Sequence, residues 1–90
     1  MAINKKNKNI YKSQISDQIN KYLSKIIKGQ IPLNKSLLEL GLLDSLEFVK
    51  FIFYIQKKWD INLTNHEMSD PKIYNLSNLE KIILKKIIKK

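Results

Sequence analysis

Ser45 is the residue of this chain best placed to do chemistry, because of what surrounds it. It lies in Leu40-Gly41-Leu42-Leu43-Asp44-Ser45-Leu46-Glu47-Phe48-Val49, where a glycine-containing turn empties into a strongly apolar run. Gly41 can adopt backbone conformations closed to other residues, Leu42 and Leu43 can anchor the turn in a core, and Asp44 can cap a helix that begins at Ser45. A hydroxyl held there faces free amide N–H groups and the positive end of the helix dipole. A phosphoryl group attached to Ser45, or docked on it, is favoured by that arrangement.

Other chemistries lack their residues. There are no cysteines, so the polypeptide offers no disulfide, thiolate metal site or thiol nucleophile; any thiol has to be brought in by a cofactor. His66 is the single histidine and has no metal-ligand spacing around it, so an exposed helix-turn residue is the expectation. A Ser-His-Asp hydrolase is disfavoured too, since no nucleophile-elbow pattern surrounds Ser45 and ninety residues leave no room for a large cleft. Trp59 and the tyrosines read as core or half-buried surface.

The elements that must position Ser45 follow from the spacing of apolar residues. Residues 1–9 are rich in Lys and Asn and read as a disordered basic tail, leaving 10–90 as one small domain. Ile15, Ile19, Tyr22, Leu23, Ile26 and Ile27 form one face of a helix from about Ile10 to Lys28, with Gly29 just past its end. Pro32 and Asn34 mark a loop, and Ser36 can cap a single turn through Leu37, Leu38 and Leu40. A second helix runs from Ser45 to about Lys58. Leu46, Phe48, Val49, Phe51, Ile52, Phe53 and Ile55 make it apolar around much of its circumference, as suits the central helix of a core. On this reading Leu46 and Val49 are buried. Trp59 can close the last turn, and Asp60 to Leu63 form an exit loop. Thr64 and Glu67 have capping-box spacing before a short helical piece that Pro71 ends, and Ser77 and Glu80 repeat it before a last helix with Leu79, Ile82, Ile83 and Ile87 on one face. The expected fold class is an all-α, four-helix bundle with a short third helix.

Charge is distributed unevenly. Residues 1–36 hold eight lysines against one acid, 37–71 three lysines against six acids, and 72–90 six lysines against one acid. The serine motif therefore sits in an acidic middle. The net charge of +9 comes from lysine alone, without arginine, which weakens a nucleic-acid reading because bidentate contacts to bases and phosphates favour arginine. A biased coding composition rich in Lys, Asn and Ile explains the excess as well as a selected basic surface does. No stretch is long and apolar enough for a signal peptide or a membrane span, so a cytoplasmic, soluble protein is expected.

The residues from Ser36 to Ile83 resemble the acyl carrier proteins, including their peptidyl and D-alanyl members. In that family a serine in a Gly-x-Asp-Ser-Leu or Gly-x-x-Asp-Ser-Leu setting opens the second of four helices. Gly41, Asp44, Ser45 and Leu46 match the motif, and Val49, Ile52, Ile55, Trp59, Asp60 and Ile61 fall where such carriers have apolar positions and an acidic-isoleucine exit. The resemblance implies a carrier rather than an enzyme. A phosphopantetheinyl transferase would link 4'-phosphopantetheine from coenzyme A, with magnesium, to the Ser45 hydroxyl. The arm's thiol would then hold acyl or aminoacyl groups as thioesters. Partners implied are that transferase, an acyl- or aminoacyl-activating ligase and acyl-accepting enzymes, met by a monomeric carrier.

The resemblance also places Asp44 beside the transferase and its metal, and makes Leu46, Glu47 and Val49 partner-facing. The two residues between Gly41 and Asp44 are closer to stand-alone D-alanyl-type carriers than to those of fatty acid synthesis, so the cargo can be an amino acid. Carriers usually show an acidic outer face on the second helix. Here Lys50, Lys57 and Lys58 occupy that helix and Glu47 is its only acid after the motif, which points to dedicated partners with neutral or acidic docking surfaces. The rival reading is a basic helical interaction module, in which Lys81, Lys85, Lys86, Lys89 and Lys90 beside an isoleucine face meet anionic membrane or nucleic acid.

Overall fold

The computed structural model describes residues 8–88, and they form an all-α bundle with no strand among them. Helix α1 spans Lys8–Leu23, α2 Ser45–Trp59, α3 Asn65–Ser69 and α4 Leu76–Ile88, with a 3-10 turn over Pro71–Tyr74 before α4. Of the basic tail expected over 1–9, Lys8 and Asn9 belong to α1, and residues 1–7 lie outside the described residues. The first helix also ends earlier than its apolar spacing suggested. Ile26 and Ile27 both donate to the Leu23 carbonyl, at 2.9 and 2.7 Å, so the chain continues as a tightening turn that still buries Ile27. Apolar periodicity persists through such a turn, which is why it overran the helix.

Helix α2, expected as the centre of the core, shares that role: α4 is the more buried helix and packs on both α1 and the 3-10 turn, and α2 adds its apolar face to the same core. Phe48, Phe51, Ile52 and Ile55 are buried on α2, against Ile15, Ile19 and Leu23 of α1 and Leu76, Leu79 and Ile83 of α4. Aromatic rings tie α2 to its neighbours: Tyr22 stacks on Phe51 at 5.4 Å and on Tyr54 at 4.4 Å, and Phe48 meets Tyr74 edge-on at 4.7 Å. Burial does not go all round α2, however. Leu46, Val49 and Phe53, expected in the core, stand exposed at 63%, 42% and 67%. While α1 and α4 pack directly on each other, Tyr22 and Tyr74 meet α2 through Phe48, Phe51 and Tyr54, and Leu46, Val49 and Phe53 are left to solvent.

The caps of the short elements decide where each begins. Thr64 and Glu67 form the expected capping box, with Thr64 Oγ1 accepting from the Glu67 N–H at 3.1 Å and Glu67 Oε1 accepting from the Thr64 N–H at 2.8 Å. Pro71 opens the 3-10 turn instead of merely ending α3, which closes at Ser69. The box expected at Ser77 and Glu80 is absent. Asn75 Oδ1 caps α4 by accepting from the Ser77 N–H at 3.0 Å, and Glu80, only 8% exposed, accepts a hydrogen bond from the Ser16 hydroxyl of α1. A buried carboxylate needs such a partner, and spacing alone did not reveal that α1 would supply it.

Glu67 also pairs with Lys86 of α4 at 2.9 Å. Partial burial pulls its pKa up, but the hydrogen bond and charge of Lys86, with the Thr64 donors, outweigh burial and hold the carboxyl below its ordinary value. A depressed folded pKa stabilises the protein above the unfolded pKa, and the gain is lost as pH falls through the folded one. Glu67→Gln keeps the cap and removes the charge. It is expected to lower stability by about 0.5–1 kcal/mol at pH 7 and to match wild type at pH 3, measured by urea unfolding at both pH values. An equal loss at both would show that the charge contributes nothing.

Candidate functional site

The turn before Ser45 is built as a helix ending. Ser36 Oγ accepts from the Glu39 N–H at 3.2 Å and starts a single turn, as its sequence suggested. Gly41 ends that turn at a φ of 71°, in the left-handed region where a side chain is strained. The Leu42 N–H reaches back to the Leu37 carbonyl at 3.0 Å and the Gly41 N–H to that of Leu38 at 3.1 Å, the paired bonds of a Schellman ending. Leu37 and Leu43 are fully buried and fix this turn to the core, with Leu42 packed half-buried beside them.

Asp44 then reverses the chain into α2. Its backbone is extended, at φ −85° and ψ 176°, and its Oδ1 accepts from the Glu47 N–H at 2.7 Å. Glu47 Oε1 returns the favour to the Asp44 N–H at 2.9 Å. This capping box leaves Ser45 as the first helical residue, with its side chain exposed. As first-turn amides, the Ser45 and Leu46 N–H groups have no carbonyl four residues back inside the helix. Ser45 borders an open hollow lined by Leu38, Gly41, Leu43, Asp44 and Glu47. Its hydroxyl is thus reachable by a macromolecule, and its root is held by two capping bonds and two buried leucines.

All five residues singled out in the sequence come together here: Asp44, Ser45 and Glu47 at the hollow, Leu46 and Val49 on the exposed flank of the same helix. His66 lies apart and exposed, at the start of α3. Among the described residues no group of three or more His, Asp or Glu could hold a metal ion, and no helix is long and apolar enough to cross a membrane. Sequence reasoning missed Phe53, which it assigned to the core. At 100° per residue, Leu46, Val49, Lys50, Phe53 and Lys57 fall within one sector about 100° wide, so the wheel of α2 held that signal.

No protein-family model, curated protein or solved structure matches this chain.

Proposed function

We propose that the chain is a stand-alone acyl or aminoacyl carrier that works in the cytoplasm, with 4'-phosphopantetheine attached to Ser45. The observation that carries this reading is the exposed Ser45 hydroxyl, opening the second helix of an all-α bundle behind a left-handed Gly41 turn and an Asp44–Glu47 capping box. The residues present fit the group. A phosphodiester on Ser45 would lie at the positive end of α2, over first-turn amides and an open hollow that leaves space for an extended arm.

In the reaction that attaches the arm, the Ser45 oxygen bonds to the pantetheine-side phosphorus of coenzyme A. The pyrophosphate P–O bond breaks, 3',5'-adenosine bisphosphate leaves, and the serine proton passes to a base on the transferase. This chain supplies the nucleophile and its placement. Asp44 has two tasks, capping α2 and offering a carboxylate beside the hydroxyl for the transferase's magnesium. Once attached, the arm would supply the thiol that the cysteine-free chain lacks, held at Ser45 where an activating ligase and an acyl-accepting enzyme can each reach it.

The test is the intact mass of the protein after incubation with coenzyme A, magnesium and phosphopantetheinyl transferases, one of them from the source organism. A single phosphopantetheine increment is expected. No increment with any transferase would remove the carrier reading and leave the basic interaction module, with the exposed Lys81 and Lys85 of α4, in its place.

A further inference from the structure

Lysines gather at the end of the bundle that Ser45 does not use. A few contacts set the directions of the helices. Tyr22, near the end of α1, is joined to Tyr74, just before α4, through the rings of Phe51 and Phe48, whereas Ser16, earlier in α1, reaches Glu80, later in α4. The two helices therefore run antiparallel, and the start of α1 lies beside the end of α4. Helix α2 begins beside Tyr74, and its exit loop leads to Glu67, which pairs with Lys86 in the last turn of α4. The start of α1 and the ends of α2 and α4 thus share one end of the bundle. Ser45 stands at the other, about 20 Å away along the 15 residues of α2.

The shared end is basic. Lys12, Lys57, Lys58 and Lys85 are exposed on it, Lys8 opens α1, and Lys89 and Lys90 follow α4 in sequence. Against them stand Asp60 and Glu67, the latter already paired with Lys86. At the Ser45 end the signs balance more closely, with Glu39, Asp44, Glu47 and Asp70 among the lysines. Tyr11, Trp59 and Ile88 lie half-buried at the basic end, packed in part on the core. Tyr and Trp rings with one apolar side and one wet side suit the boundary layer of a bilayer.

We propose that this end of the bundle rests on an anionic lipid surface, with Lys12, Lys57, Lys58 and Lys85 among the headgroups and Ser45 held about 20 Å above them, on the aqueous side. On sequence alone the α4 lysines belonged to a module that replaces the carrier reading. Their place in the bundle, shared with lysines of α1 and α2 and remote from Ser45, makes the two compatible. The lipid surface stands independently of the arm and survives if Ser45 carries none. Lysine is a point charge that meets lipid phosphates without the planar, bidentate geometry of arginine, and nucleic acid is the weaker occupant for that reason. Each lysine close to such a surface strengthens partitioning about fivefold, so a cluster of four or more gives reversible attachment.

The probe is a set of vesicles, phosphatidylcholine alone and phosphatidylcholine mixed with phosphatidylglycerol, with partitioning read by co-sedimentation and by the emission of Trp59, the single tryptophan. Wild type is expected to sediment with the mixed vesicles alone, with a blue-shifted emission, and to be released by added salt. Lys12→Glu/Lys57→Glu/Lys85→Glu is expected to weaken partitioning about a hundredfold or more. Lys25→Glu/Lys28→Glu/Lys35→Glu makes the same change of charge in the connection whose Leu33 carbonyl bonds the Ser77 N–H at the start of α4, on the Ser45 side. That variant should stay within about threefold of wild type. All six side chains are exposed, so both variants should keep the wild-type circular dichroism melt. Equal losses in the two variants would show attraction by net charge alone and overturn the basic end as the docking surface. Absence of sedimentation of the wild type would overturn it too, as would tighter binding to duplex DNA than to the mixed vesicles at the same salt. Arm attachment, read separately by intact mass, decides the carrier reading whichever way the vesicles answer.

Discussion

Ser45→Ala is expected to reduce arm attachment to background while leaving the fold unchanged. The hydroxyl is the only atom group removed, its side chain is exposed, and the turn beneath it is held by Asp44, Glu47, Leu37 and Leu43. The check is intact mass beside wild type, together with the thermal melt. Modification of the variant at the wild-type rate would mean that the arm is attached elsewhere, and Ser45 would lose its assigned role. Asp44 separates into its two tasks by the same assay. Asp44→Asn retains a good cap and removes the charge, so attachment should slow with stability kept; Asp44→Ala should in addition lose about 1 kcal/mol of stability. If Asn and wild type were modified equally fast, the carboxylate would be a cap and nothing more.

The largest stability effect is expected at Phe51→Ala, a loss of about 3–5 kcal/mol. Phe51 is fully buried, packs against Tyr22 of α1 and stands edge-on to Phe48 at 6.1 Å, so its removal opens a void between α1 and α2 that rigid neighbours cannot fill. Small domains hold only about 5–15 kcal/mol in total, so the variant should be partly unfolded at 37 °C. Urea unfolding followed by circular dichroism is the measurement, with a lowered midpoint and an unchanged slope expected. A loss below about 1 kcal/mol would show that Phe51 does not brace α2 against α1. Phe53→Ala, two residues along, should change stability by less than about 0.5 kcal/mol, because the same side chain there is in water.

That contrast marks how far the sequence could be read. Helix α2 was legible from Asp44 to Trp59 because its cap and its apolar residues are local features. Which of its apolar residues face inward was not. Phe51 and Phe53 look alike in a strongly apolar run, and the answer depends on partners distant in sequence, such as Tyr22 of α1, that meet Phe51 and leave Phe53 in water. The Thr64–Glu67 box was legible from spacing, whereas the similar Ser77–Glu80 spacing misled, because Glu80 is claimed by Ser16 from the far end of the chain. The geometry of the candidate site was legible for the same reason as its helix: Asp44 and Glu47 cap each other three residues apart, with Gly41 and Ser45 close beside them in sequence.

The long connection before α2 is less self-sufficient than the site it carries. Its Leu37 N–H donates to the Tyr74 carbonyl at 3.0 Å, and its Leu33 carbonyl accepts from the Ser77 N–H at 2.8 Å, both across wide separations in sequence. Leu37 is also the residue whose carbonyl receives the bonds that close the Gly41 turn. During synthesis, then, the serine turn emerges from the ribosome well before the residues that brace it. A short turn of this kind is marginal in water without such bracing. Ser45 takes its final presentation only after residues 74–77 have been made and folded back on 33–37, so an enzyme that reads the shape of this turn acts after that pairing has formed.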